Sequence, residues 1–242
     1  MTAGPTPVVV FLLDVDNTLL DNDRIIADLR RHLEDKFGRT SADQYWTAFE
    51  QLRTELGYAD YLGALQRFRL ALAGRDHDER QLPLMSSFLL DYPFAARVYP
   101  RALEVLADLA TRGLTVILSD GDAVFQPRKV QRSGLWDAVC GRVLIYIHKE
   151  QMLDAMQRCY PADHYVMVDD KLRILAAMKE VLGQRLTTVF VRQGHYALDP
   201  ATIADYPAAD LMAECIGDIA ALDFEPRFYT PHLAAQSSAV KP

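Results

Sequence analysis

Cysteine is scarce in this 242-residue chain, which has only Cys140, Cys159 and Cys215. An odd number without C-x-x-C spacing excludes a disulfide framework and a thiolate metal site, and fits a reducing compartment. Long apolar runs are missing as well. The longest, Val8 to Leu13, falls far short of the roughly 20 residues that a bilayer crossing needs, and no basic segment precedes it as in a secretory signal. No membrane partner and a cytoplasmic location are therefore expected. Positive charge is in deficit, with 26 Lys and Arg against 33 Asp and Glu and a formal net charge of -7. No basic block gathers what there is, so no nucleic acid partner is expected. What the chain has in quantity is apolar side chains, half of all residues. That excludes disorder and allows one sizeable core with an appended subdomain.

Five short β-rich runs recur: Val8 to Leu13, Leu114 to Leu118, Val143 to Ile147, Tyr165 to Val168 and Thr187 to Val191. Helix-period stretches separate the later ones, at Arg101 to Thr111, Gln126 to Ser133, Glu150 to Cys159 and Leu172 to Leu182. The alternation predicts an α/β fold with a parallel sheet. After the first run, however, about 80 residues intervene where a crossover needs a dozen or so. Their apolar residues recur at helical spacing, first Ile25, Ile26, Leu29, Leu33 and Phe37, then Tyr45, Phe49, Leu52 and Leu56, then Tyr61, Leu65, Phe68 and Leu72. Residues 22–95 are therefore read as an inserted helical subdomain, and 1–21 with 96–242 as the core. The polar tail from about Gln236 is expected to fray.

Polar residues follow each apolar run in a way that carries chemistry. The first run leads into Asp14-Val15-Asp16-Asn17-Thr18, the second into Ser119-Asp120-Gly121-Asp122, the third into His148-Lys149 and the fourth into Asp169-Asp170. In an open parallel sheet the carboxyl ends of the strands face one crevice, so these groups converge although they are far apart in sequence. Carboxylates at 5 Å and an effective dielectric of 20 repel by about 3 kcal/mol per pair, and a divalent cation relieves this. All-oxygen ligands without a His or Cys cluster select a hard ion, and carboxylates beside a phosphorylated substrate favour Mg2+. A serine hydroxyl and a lysine suit the phosphoryl group, while an Asp can accept it and a second acid two residues on can move the proton.

A D-x-D pair by itself says little. With 24 Asp in the chain, about two such pairs are expected by chance, and four occur, at 14/16, 21/23, 76/78 and 120/122. Order and placement distinguish the first, since it follows six apolar residues and the other elements succeed it at strand ends. Lys149 is also one of only six lysines beside 20 arginines, which suggests a need for a compact ammonium.

On these motifs the sequence resembles the haloacid dehalogenase (HAD) superfamily, in its phosphatase form with a helical cap. The resemblance covers residues 8–20 and 100–222 and implies a Rossmann-like parallel sheet with the insert as cap. Carried over residue by residue, it makes Asp14 the nucleophile, Asp16 the general acid/base and Lys149 the charge-balancing lysine. Thr18, Ser119, Asp120 and Lys149 would hold the substrate phosphate. The metal would be held by Asp14, the Asp16 carbonyl, Asp169 and Asp170. The family often has Gly-Asp with a second acid about four residues later; this chain has Asp169 in the Gly place and Ile174 in the later one, which implies an adjacent-Asp version with Asp170 as the direct ligand.

The expected activity is Mg2+-dependent hydrolysis of a small phosphorylated metabolite through an aspartyl-phosphate. A phosphomutase remains open because it uses the same first pair. A dehalogenase is disfavoured because it needs neither a second acid nor a metal, and a non-catalytic phosphate-binding module because it needs no such set of acids. Three further expectations concern neighbours: Asp122 as a helix cap, His148 and His195 as strand-end residues outside the site, and Tyr45, Trp46 and Phe49 as the interior of the insert.

Overall fold

The computed structural model describes residues 8–72 and 80–224. The polar tail and the D-x-D pair at 76/78 lie outside the described residues. Six parallel strands form one sheet in the order β3-β2-β1-β4-β5-β6: β1 (Val9–Leu13), β2 (Leu114–Asp120), β3 (Val143–Tyr146), β4 (His164–Asp169), β5 (Leu186–Val191) and β6 (Leu211–Ala213). Every residue of β1, β4 and β5 is buried, as continuous apolar runs in a sheet covered on both faces require. Edge strand β3 is only half-buried. β6, which the periodicity did not reveal, has three residues, and Met212 on it is exposed.

Alternate β1 side chains serve two cores, because successive residues of a strand point to opposite faces. Phe11 and Leu13 join the cluster of Val105, Leu106 and Leu109 on α5 (Ala102–Arg112). Val10 and Leu12 join Met156 on α8 (Leu153–Cys159) and Leu175 and Met178 on α9 (Leu172–Leu182). Each fully buried aliphatic side chain contributes about 1.5–3 kcal/mol.

Between β1 and α5 the described residues form four α-helices: α1 (Asn22–Phe37), α2 (Arg39–Leu56), α3 (Tyr61–Leu72) and α4 (Gln81–Asp91). Their inward residues interlock through rings, Phe68 meeting Phe37 at 5.3 Å and Tyr45 at 5.9 Å. Leu56, expected on the inner face, is exposed at the end of α2. The outgoing and returning chains run side by side, with Asp21 N–H donating to Arg97 O at 2.8 Å and Tyr99 N–H to Leu19 O at 3.0 Å. Asp28 on α1 clamps the return through Tyr92 at 2.5 Å and Arg97 at 2.7 Å.

The remaining short helices are α6 (Phe125–Arg132), α7 (Leu135–Ala138), α10 (Gly194–Leu198) and α11 (Pro200–Ala204). The insert packs on α6, the Tyr61 ring meeting Phe125 at 5.0 Å and a 47° tilt. Among the described residues no helix is long and apolar enough to cross a membrane, and the three cysteines are free.

Candidate active site

The sheet order reverses direction at β1, with β2 and β3 on one side and β4 to β6 on the other, so a crevice opens at the carboxyl ends there. Asp14 sits at its centre, because its N–H continues the ladder to Val168 O at 3.0 Å and leaves the side chain beyond the sheet. The carboxylate is buried. Asp169 ends β4 and Asp170 follows it, both buried. Carboxylate oxygens of Asp14, Asp169 and Asp170 all lie within 4.8 Å of one another, so the structure brings the sequence-predicted acids together.

Lys149, buried just past β3, is the main counter-charge. Its Nζ is 2.5 Å from Asp14 Oδ1 and 2.7 Å from Asp169 Oδ2. Burial works against the ammonium, but Asp14, Asp169 and Asp120 outweigh it and hold its pKa well above the usual lysine range. Asp120 accepts the Lys149 N–H at 2.7 Å, which fixes the turn that presents the lysine. Burial pushes the Asp120 carboxyl up to about 6, against the opposing pull of Lys149.

Asp14 Oδ2 and both Asp170 oxygens are buried and make no hydrogen bond. The Lys171 Nζ lies 3.9 Å from Asp170, too far for one. Burial raises the pKa of both Asp169 and Asp170, and the lysines only partly oppose it. Orphaned buried carboxylate oxygens are costly unless something positive meets them. Hard oxygen donors converging from two strand ends fit a magnesium-sized dication, with Asp14 and Asp170 supplying the unmatched oxygens.

Asp16, two residues beyond Asp14, receives different treatment. Its side chain is 26% exposed, and both oxygens accept from Lys129 Nζ, at 2.8 and 2.9 Å. The same ammonium reaches Asn22 Oδ1 at 3.0 Å. Lys129 is fully buried, and sequence reading missed it. The available signal was its position, one turn after the inward Phe125 on the core-facing side of α6, where a lysine has no place unless it is paired.

Asn17 adopts φ 62°, a left-handed conformation that Asn tolerates better than most residues. It organises the turn by accepting the N–H groups of Asn22 and Asp23 at 3.0 and 3.1 Å. Gly194 (φ +72°) passes so close that a Cβ there would lie 2.4 Å from Asn17 Cβ, so α10 can approach the loop only with glycine at its start.

Thr18 Oγ1 is buried without a partner, while its carbonyl accepts from Gln193 at 3.2 Å. Ser119 Oγ lies 3.5 Å from Asp14 Oδ1 and accepts from Gln126 Nε2 at 3.0 Å. Asp122 caps the turn into α6, accepting from the N–H groups of Val124 at 2.8 Å and Phe125 at 2.6 Å. Ile174 is buried in the core and has no part in the site.

Beside these groups lies a cavity of about 470 Å³ between the strand-end loops and the insert, lined by Asp16, Lys171 and His195 and, from the insert, by Trp46 and Phe49. One expectation needs correction, and a second is met with an addition. His195 is at the crevice because its Nδ1, 2.6 Å from Asp23 Oδ1, ties α10 to α1. Trp46 and Phe49 are both interior and wall, since α2 turns one side of each ring to the cavity. Tyr45 is wholly interior, its hydroxyl donating to Tyr61 O at 3.0 Å.

The sequence pattern of the haloacid dehalogenase-like hydrolases matches residues 8–181. A solved haloacid dehalogenase-like hydrolase from Burkholderia xenovorans LB400 is 66% identical, with a TM-score of 0.83 over 89% of this chain and 98% of that one. More distant is an L-2-haloacid dehalogenase from Xanthobacter autotrophicus with chloropropionic acid covalently bound, at 19% identity and a TM-score of 0.57 over 89% and 98%. A HAD-hydrolase from Bacillus subtilis bound to magnesium gives 17% and 0.56 over 88% and 97%. These last two share the fold alone. No curated protein matches the chain. The matched pattern and the 66% identical structure, joined to the convergence of acids at the sheet's reversal, establish that the chain belongs to the haloacid dehalogenase-like hydrolase family.

Proposed function

We propose that the chain is a magnesium-dependent phosphomonoesterase working through an aspartyl-phosphate on Asp14, with the helical insert 22–95 as a cap over the site. The observation that carries this reading is the set of buried, unpartnered oxygens on Asp14 and Asp170, with a second acid, Asp16, at the rim of the adjoining cavity. A nucleophile that displaces halide needs neither. A bound Mg2+ would supply charge neutralisation and orient the phosphoryl oxygens.

Asp14 attacks phosphorus, forming a new O–P bond as the ester P–O bond breaks and its electron pair leaves with the alkoxide. Asp16 delivers the proton to that oxygen. The Lys129 ammonium, which donates to both Asp16 oxygens, holds the carboxylate left behind in place for the second step. Asp16 then takes a proton from water, the water attacks phosphorus, and the acyl-phosphate bond breaks to restore Asp14. Lys149 holds Asp14 through its Nζ contact and offsets charge on the phosphoryl oxygens, to which Ser119 and Thr18 donate. Asp120 positions Lys149.

The test is phosphate release from a panel of phosphorylated metabolites. Turnover with magnesium that is abolished by excess chelator is expected. Undiminished turnover in chelator, or release of halide from haloacids with no phosphate release, would refute the assignment.

A further inference from the structure

The cavity beside Asp16 has a charge inventory that does not close. Its lining holds the carboxylates Asp16, Asp23 and Glu50 and the cations Arg30, Arg53 and Lys171. Asp16 is matched by Lys129 from behind. Glu50 pairs with Arg53 at 2.9 Å, and Asp23 accepts from Asn17 at 3.0 Å and meets His195 at 2.6 Å. Lys171 faces Asp170 and lies over the Tyr196 ring at 5.1 Å. Arg30 is left over: among the described residues no carboxylate lies within ion-pair distance of it. Its guanidinium lies 4.8 Å from the centre of the Trp46 ring.

Trp46 adds a second, independent deficit. It is 8% exposed, and its Nε1–H is buried without an acceptor. An indole N–H removed from water normally finds a partner. Arg30, with its unmatched guanidinium, and Trp46, with its unmatched indole donor just beneath the surface, thus both line the cavity that contains Asp16. Helical spacing puts them there, because Asn22, Ile26 and Arg30 follow one another at four-residue intervals along the face that α1 turns to the cavity.

We infer that Arg30 and Trp46 form a subsite for a carboxylate at the far end of the leaving group, so that the substrates are phosphomonoesters of hydroxy acids. The inference rests on the phosphomonoesterase reading of Asp14 and Asp16. A planar guanidinium with one added donor suits a singly charged carboxylate, whereas a second phosphate would call for more free cations than the lining offers. Phe49 and Tyr61 on the same cavity favour a flat, apolar body between the two anionic ends. The volume of about 470 Å³ suits a small molecule.

The chain has two tryptophans, and the other, Trp136 on α7, does not line the cavity. In Trp136→Phe, therefore, Trp46 alone reports binding by fluorescence. With magnesium present, para-hydroxybenzoate should bind about tenfold more tightly than para-hydroxybenzyl alcohol, the worth of one charge-assisted contact. Arg30→Gln should reduce that preference to about twofold or less, and Arg30→Lys should keep part of it. Arg30 is exposed, so both variants should fold. Likewise, kcat/KM for para-carboxyphenyl phosphate over phenyl phosphate should fall in Arg30→Gln through KM, with kcat held. Equal binding of acid and alcohol, no binding of either, or a preference untouched by Arg30→Gln would overturn the subsite. Absence of phosphate release from phenyl phosphate, with the binding preference intact, would strike the phosphomonoesterase reading and leave the anion subsite standing.

Discussion

At the ends of the strands Asp14, Asp169 and Asp170 are buried with one lysine bridging two of them, whereas the described part of the helical insert buries rings and leaves its charged side chains at least partly exposed. The Arg67–Glu55 pair at 2.5 Å joins two partly exposed side chains, and such surface pairs contribute little. Burying carboxylates is costly, and among the described residues the buried ones are gathered at this one place, the pattern that functional sites share. The insert shows the opposite economy: Phe37, Tyr45 and Phe68 build a rigid interior, and Trp46 and Phe49 turn part of it to the cavity. On the function proposed above, reaction belongs to the sheet and selection to the insert. That division can be broken by substitutions on either side.

The largest effect should come from Asp14→Asn. Turnover should fall by at least about a thousandfold, since the nucleophile is deleted, while the melting temperature holds because Lys149 keeps Asp169 as its partner. A single-turnover assay with a melting curve on the same sample checks both. Retained turnover would remove the sheet's claim on the chemistry.

Phe68→Ala examines the insert. The side chain is fully buried, so the variant should lose about 3–5 kcal/mol of stability, read by urea unfolding, with kcat in the remaining folded protein nearly unchanged. A fall in kcat as deep as that of Asp14→Asn would mean that the insert supplies chemistry.

Lys129→Met sharpens the boundary, because Lys129 lies on the sheet side yet also holds Asn22 of α1. Rates for esters with poor leaving groups should drop about a hundredfold, and those for activated esters much less, because an Asp16 that is no longer held in place delivers its proton poorly. Equal loss for both kinds would make Lys129 a structural residue only.

The smallest effect concerns the clamp between α1 and the returning chain. Burial raises the Asp28 carboxyl pKa, but the hydrogen bonds from Tyr92 and Arg97 outweigh it and leave the carboxyl below its ordinary 3.8. The folded value is the depressed one. The clamp's contribution is therefore complete above about pH 4 and is lost as pH falls through the folded value. The stability gap between the parent chain and Asp28→Asn, followed by urea unfolding, should narrow below that pH. A gap that widens on acidification would contradict the clamp.

Much of this was legible before any coordinates. Six apolar residues leading into Asp14 mark a central strand and the acid at its end, because continuous burial and a terminal acid both leave traces in local order. The insert announced itself by length and helical spacing. Lys129 and Arg30 were hidden, since a lysine on a helix face and an arginine four residues after Ile26 look like surface charge until the opposing element is known. His195 was hidden for the same reason, because its partner Asp23 is 172 residues away. β6 has too few residues to show a period. Pairings between distant elements are set by packing, and no local pattern encodes them.

The central claim is that Asp14 carries a phosphoryl group, and a single turnover in water labelled with heavy oxygen tests it most directly. If Asp14 forms an acyl-phosphate, water attacks phosphorus, the label leaves in inorganic phosphate, and the peptide containing Asp14 keeps its original mass. If Asp14 forms an alkyl ester, water attacks the carboxyl carbon and the label stays in that peptide. We expect labelled phosphate and an unlabelled peptide; heavy oxygen in Asp14 would contradict the account.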